Sequence, residues 1–249
     1  MRLRGKVAIV TGAGGGFGEG IARRFAEEGA KVAVVDMRGD AAEAVARSIG
    51  AAAIPVTADV GVEADVQRAV EETTSRLGTP DILVNNAGTT HKNRPIMEVD
   101  EETFDLIFRV NVKSIFFFVR AVAPVMRDNG GGVIVNVGST AGIRPRPGLT
   151  WYNATKGAVN LGSKSLAVEL APWKIRVNVL CPVMGETGLL EAFMGMPDTP
   201  ENRAKFLGTI PLGRLSRADD VANAALYLAS DEAAFITGVE LPVDGGRTV

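Results

Sequence analysis

Short runs of apolar, β-branched residues alternate along this chain with longer stretches whose apolar positions recur every three to four residues. The runs Val7–Val10, Val32–Val35, Ala53–Val56, Ile82–Val84, Val133–Val137, Val177–Leu180 and Val239–Val243 predict buried strands. Amphipathic stretches of helical length lie between most of them. Gly20–Glu28 opens a first helix region, and Ala41–Ile49, Glu63–Leu77, Glu101–Met126, Asn153–Leu170 and Asp219–Leu228 follow. Such alternation argues for a parallel sheet covered on both faces, and right-handed crossovers make it a doubly wound α/β arrangement. No repeat, low-complexity tract or linker divides residues 1–249, so a single domain is expected. One stretch, Val183 to Gly213, breaks the rhythm with Pro197, Pro200, Pro211, several glycines and the Met/Phe-rich Leu189–Met196. Long irregular insertions in compact domains are usually functional or disordered. This one is expected to be a mobile lid over a substrate, the plainer alternative being a surface excursion.

Composition narrows the class. A chain of 249 residues can bury a core that needs no disulfide or metal staple. Its one cysteine, Cys181, permits no intrachain disulfide. The net charge of −2 is spread out, without a Lys/Arg run suited to nucleic acid or an anionic membrane. Val7–Val10 is too short for a signal-peptide core, and no window offers the roughly 20 apolar residues of a membrane span. A cytoplasmic protein with a small-molecule ligand is the expectation. The single histidine, His91, and the single cysteine supply no metal-ligand cluster. His91 is read as a solvated loop residue, with lining of a substrate mouth as the alternative, and Cys181 as a small buried hydrophobe.

The first strand runs into Thr11-Gly12-Ala13-Gly14-Gly15-Gly16-Phe17-Gly18, with a helix after it. Glycines there let the backbone approach a pyrophosphate, and the helix N-terminus supplies free N–H groups and a positive dipole end. Position between the first strand and first helix makes this signal stronger than a bare glycine run. Asp36 ends the second strand, 18 residues beyond Gly18 (36 − 18). That is near the spacing of an acid that accepts hydrogen bonds from an adenosine ribose and repels a 2′-phosphate. The expected cofactor is therefore NAD rather than NADP. Arg38, two residues on, is the residue type that would bind the phosphate instead.

Tyr152 and Lys156 are four residues apart and share one helix face. A lysine ammonium beside a phenol favours phenolate, as does a nicotinamide cation, which would bring the tyrosine pKa down to a usable value. Tyrosine then serves as general base in alcohol oxidation and general acid in ketone reduction. Taken alone, the pair would more often be an ordinary exposed helix pair. A serine hydrolase is excluded, because Gly138-Ser139-Thr140-Ala141-Gly142 lacks the Gly-x-Ser-x-Gly spacing.

Several segments in this order carry a resemblance over essentially the full length. They are Thr11-Gly12 with Gly16 and Gly18, Asp59-Val60, Asn85-Asn86-Ala87-Gly88, Asn111, Ser139, Tyr152 with Lys156, and Asp244-Gly245-Gly246. With them the chain resembles the short-chain dehydrogenases/reductases, and by overall look the 3-oxoacyl-carrier reductase type. Sugar or polyol dehydrogenases of the same family are the runner-up, and a non-catalytic NAD-binding sensor is a rival of another class. The resemblance implies one Rossmann-type domain with a seven-stranded parallel sheet and a homotetramer joined partly through Glu101–Met126 and Asn153–Leu170. It implies that Asp59 and Val60 lie along the adenine, and that Asn86, Ala87 and Gly88 line the cofactor groove. Pro182, Val183 and Thr187 would frame the nicotinamide. Lys156 would also hold the nicotinamide ribose, Ser139 would orient the substrate oxygen, and Asn111 would hold a relay water. Three positions depart from the family pattern: Val183 where glycine is frequent, Gly185 where a branched apolar residue is usual, and Gly138 where serine is frequent. Arg144, Arg146, Lys92 and Arg94 fall in two loops expected to edge the site. They are read as solvated charges, with attraction of an anionic substrate as the alternative.

Overall fold

A computed structural model describes all residues, 1–249. Seven strands form one sheet: β1 Val7–Thr11, β2 Lys31–Asp36, β3 Ala53–Thr57, β4 Ile82–Asn85, β5 Gly132–Val137, β6 Ile175–Pro182 and β7 Glu240–Val243. Their order is β3-β2-β1-β4-β5-β6-β7, with every pair parallel. The chain order reverses between β1 and β4, which opens a crevice at the carboxyl ends of the strands. Each predicted strand is present, most of them longer by a residue or two.

The sheet is covered on both faces because its side chains alternate. Val10, Val34, Val84 and Val135 point toward α1 (Gly16–Glu27), α2 (Gly39–Ile49) and, later in the chain, a helix at Ala218–Ala229, in a core centred on Phe25 and Leu226. Ile9, Val35, Leu83 and Ile134 point the other way, against α3 (Glu63–Leu77) and two long helices that supply Phe117, Phe118, Val122 and Leu170. That period-two split explains why the strands read as continuous apolar runs.

The expected helix Glu101–Met126 is not uniform. It comprises α4 (Glu101–Phe108), a π-helical turn at Arg109–Lys113, and α5 (Ser114–Asp128). Asp100 starts it, its carboxylate accepting the Thr103 N–H at 2.8 Å, a cap worth about 1 kcal/mol. Helix α6 runs from Thr150 to Leu170.

The stretch 183–213 is less irregular than its sequence suggests. It carries two short helices, α7 (Leu190–Met194) and α8 (Pro200–Leu207). Thr199 caps α8 by accepting the Asn202 N–H at 3.3 Å, and Pro200 occupies the first turn, where a missing N–H costs nothing. The two helices, with Val183, Met184, Ile210 and Leu215, enclose a small apolar cluster separate from both main cores. Helix α9 is the one at Ala218–Ala229. No helix is long and apolar enough to cross a membrane.

Candidate active site

A cleft of about 720 Å³ opens at the carboxyl ends of the central strands, within the roughly 300–1,000 Å³ usual for small-molecule sites. One end is built by the glycine loop. A Cβ on Gly12, whose φ is +60°, would sit 2.8 Å from the Ala87 Cα, so only glycine lets the loop lie against β4. The Thr11 hydroxyl accepts the Asn86 and Ala87 N–H groups at 3.0 Å each, and the Asn86 amide donates to the Thr11 and Gly12 carbonyls. Strand β4 therefore clamps the loop. Helix α1 begins just beyond it with no side chain capping its N-terminus, which leaves first-turn N–H groups for an anion.

Asp36 lies at the same end, buried, with one carboxylate oxygen accepting the Gly14 N–H at 2.9 Å. The other oxygen accepts the Arg38 N–H at 3.0 Å and faces the Arg38 Nε at 3.4 Å. Arg38 is thus engaged by Asp36 itself. Asp59 and Val60 line the wall beyond. Asp59 accepts the Gly61 N–H at 2.8 Å and pairs with Arg109 at 3.4 Å.

The other end holds polar side chains suited to proton chemistry. Ser139 follows β5, and its hydroxyl accepts the Ala141 N–H at 3.0 Å. Tyr152 and Lys156 stand one helical turn apart on α6, both buried, with Nζ 5.8 Å from the phenol ring centroid. Nζ donates to the Val137 carbonyl at 2.8 Å. Burial lowers the Lys156 pKa to about 8. Burial also pushes the Tyr152 phenol up to about 12, offset only partly by the Ser139 hydroxyl and the Arg146 charge. The expected depression of the tyrosine pKa is therefore not a property of the ligand-free cleft. Lys156 is itself desolvated and turned to a carbonyl. Phe193, from α7, meets the Tyr152 ring edge-on at 5.0 Å.

Most residues singled out in the sequence converge here. Gly12, Gly14, Gly16, Phe17, Asp36, Asp59, Val60, Asn86, Ala87, Gly88, Ser139, Tyr152, Lys156, Pro182, Val183 and Thr187 all line the cleft. Gly18 and Asn111 do not. A Cβ on Gly18 would fall 2.2 Å from the Gly12 carbonyl oxygen, so this glycine seats helix α1 on the loop instead of facing a ligand. Asn111 sits behind the wall, turned inward by the π-helical turn. Its Oδ1 accepts the Thr89 N–H at 2.8 Å, and its Nδ2 donates to the Thr89 carbonyl and the Thr155 hydroxyl. Asn111 thus pins the segment after β4 beside Lys156.

Other readings change. His91 is buried, with Nδ1 3.0 Å from the Lys92 carbonyl and Nε2 without a partner. Cys181 is buried as expected, and burial next to Glu240 pushes its thiol up to about 12. Of the loop cations, only Arg146 enters the cleft, whereas Arg94 turns to the Glu98 carbonyl. The segments Ile143–Leu149 and Val183–Leu207, expected from the sequence to shape the pocket, supply Leu149, Met184 and Phe193, whereas sequence reasoning missed Met37, Leu106 and Val110 as lining residues. Their apolar character signalled a wall but not which one.

Known proteins share this architecture. The family model described as enoyl-(acyl carrier protein) reductase matches residues 12–248. A 3-ketoacyl-(acyl-carrier-protein) reductase from Brucella melitensis, solved with NADH, is similar at 52% identity and a TM-score of 0.95, covering 99% of this chain and 100% of that one. A 4-formylbenzenesulfonate dehydrogenase of Comamonas testosteroni is 48% identical over the whole of both chains. A 3-oxoacyl-(acyl-carrier-protein) reductase of Thermotoga maritima is 36% identical, again over the whole of both. The chain belongs to the short-chain dehydrogenase/reductase family. It is an NAD(P)-dependent oxidoreductase acting on CH–OH groups.

Proposed function

We propose that this protein interconverts a secondary alcohol and a ketone with NAD(H), Tyr152 passing the proton. One observation carries the reading: a single cleft joins a glycine cradle and the buried Asp36 carboxylate at one end to Ser139, Tyr152 and Lys156 at the other. When bound, the nicotinamide supplies or accepts the hydride. The chain's residues do the rest. The Gly12–Phe17 backbone and the start of α1 hold the pyrophosphate. Asp36 accepts hydrogen bonds from the adenosine ribose and excludes a 2′-phosphate. Asp59 and Val60 bound the adenine, and Asn86–Gly88, Pro182, Val183 and Thr187 position the nicotinamide half. Ser139 donates to the substrate oxygen. Tyr152 protonates that oxygen in reduction and deprotonates it in oxidation, in reach of the Lys156 ammonium. Asn111 keeps the Thr89 segment in register and, from behind the cleft wall, would hold the relay water.

Relatives named as reductases of 3-oxoacyl groups and as dehydrogenases of other alcohols or carbonyls support a carbonyl substrate without fixing its identity. The segment 183–213 acts as the lid, because it alone brings an aromatic ring onto Tyr152. Exposed Phe116 on α5, and Leu161 and Val168 on α6, fit a homotetramer interface. A cytoplasmic site of action agrees with the free Cys181 thiol.

The test is a panel of ketones and alcohols assayed by NADH absorbance with wild type and Tyr152→Phe. Turnover with NADH well above that with NADPH is expected, with kcat reduced about 10²–10⁴-fold in the variant. Comparable efficiency with NADPH, or near-normal activity of Tyr152→Phe, would refute the assignment.

A further inference from the structure

Beside the cleft lies a smaller pocket that shares Thr140, Arg146, Val183 and Met184 with it. Arg144 and Arg247 line its remaining wall together with residues from α8 and beyond. None of these three arginines forms an ion pair with a carboxylate within 4 Å. Arg144 is spent on the Arg247 carbonyl at 3.0 Å. Asp244, whose charge acts on Arg247, already accepts the Gly246 N–H, the Thr248 N–H and the Thr248 hydroxyl.

Arg146 is the unusual member. Its guanidinium is half-buried between the Met184 thioether, 3.7 Å from Nη1, and the Phe206 ring, 4.8 Å away. A thioether is a weak acceptor, so nearly all of the five guanidinium donors lack a protein partner. Burial, and then the Arg247 charge, lower its pKa, opposed only by Tyr152. A guanidinium partly withdrawn from water and without a protein counter-ion gains from a bound anion.

The backbone around Arg146 is fixed in advance. Pro145 and Pro147 flank it. The Asn153 amide donates to its carbonyl at 2.9 Å, the Asn93 amide donates to Pro147 at 3.0 Å, and the Arg94 N–H donates to Gly148 at 3.0 Å. The side chain is thereby held at the rim of the cleft that also contains the Tyr152 phenol, whose ionised form its positive charge favours.

We propose that Arg146, backed by Arg247, is the specificity determinant for a substrate carrying a carboxylate or sulfonate at the end remote from its carbonyl. The proposal rests on the oxidoreductase reading above, since it names the substrate class of the same cleft. A planar guanidinium suits such oxyanions because it binds two oxygens at once.

The test compares 4-acetylbenzoate with its neutral near-isostere 4-acetylbenzamide, using NADH and wild type, Arg146→Met, Arg146→Lys and Arg247→Gln. Wild type is expected to favour the carboxylate by about tenfold or more in kcat/KM, the scale of a charge-assisted hydrogen bond. Arg146→Met brings that ratio near one, Arg146→Lys restores part of it, and Arg247→Gln lowers it less. NADH binding by each variant reports that it is folded. A ratio near one in wild type, or an unchanged ratio in Arg146→Met, overturns the proposal. Calorimetric binding of the two compounds to the NADH-loaded proteins separates the two readings. If neither compound turns over but the carboxylate binds wild type and not Arg146→Met, the anion site stands and the ketone reading falls. If binding shows no such difference, the anion site falls.

Discussion

Replacing Gly185 with alanine puts a methyl group into the Phe17 ring. The added Cβ would lie 2.3 Å from the ring Cζ, 2.8 Å from Cε1 and 3.0 Å from the Ser216 carbonyl oxygen. Gly185 pairs with Ser216 at the root of the 183–213 segment, and Phe17 opens α1 on the cofactor side of the cleft. A branched side chain at 185 has no room, because the aromatic residue at 17 fills the space. Overpacking of this kind costs about 1–3 kcal/mol, and a chain of this size loses about 2–4 °C of Tm per kcal/mol. The ring is the one neighbour able to yield, and it yields into the cleft, so part of the strain reads out as weaker NADH binding. Urea unfolding and NADH titration of Gly185→Ala, Phe17→Leu and the double variant measure both. The double variant should regain what Gly185→Ala loses, with a coupling of about 1 kcal/mol or more in the cycle. Unchanged stability and unchanged NADH affinity in Gly185→Ala would refute the packing argument.

Asp36→Ser should lower kcat/KM with NADH and raise it with NADPH, each about tenfold, because the repelling carboxylate is gone and Arg38 is released from its pairing; steady-state kinetics with both cofactors decide it. Lys156 titrates near 8 in the fold against an ordinary 10.5. The unfolded chain therefore binds more protons between those values, and stability rises with pH across that window. Lys156→Met should then be the more stable protein at pH 7, by an amount on the order of 3 kcal/mol, with the gap narrowing from about pH 8 upward in urea titrations. A constant gap would count against a buried ammonium. Cys181, fully buried with a thiol near 12, should resist iodoacetamide in the native protein, so rapid alkylation by mass spectrometry would contradict its placement.

The strands and main helices were legible because burial on both faces leaves uninterrupted apolar runs, and covering helices keep a 3.6-residue period. The site was legible because glycine loops, a strand-end acid and a Tyr/Lys pair at helical spacing have few other uses together. What escaped depends on contacts distant in sequence. The π-helical turn around Asn111 leaves the apolar pattern of Glu101–Met126 intact, so periodicity shows a single helix. Helices α7 and α8 are five and eight residues long, too short for a periodic signal. His91 follows the Asn-Asn-Ala-Gly segment in a polar loop, a context that predicts solvation; the fold nevertheless buries it. The direction of the Tyr152 shift could not be read either, since spacing puts Lys156 nearby but says nothing of how dry their surroundings are.

The central claim is that the Tyr152 phenol, costly to ionise in the ligand-free cleft, becomes the proton carrier once the cofactor is in place. The chain has two tyrosines, Tyr152 and the remote, partly exposed Tyr227, so Tyr227→Phe leaves a single phenol to follow by ultraviolet difference absorbance. Titrated without NAD, it should ionise near 12, and saturating NAD should bring that midpoint below the ordinary tyrosine value of about 10. A midpoint unmoved by NAD would contradict the account.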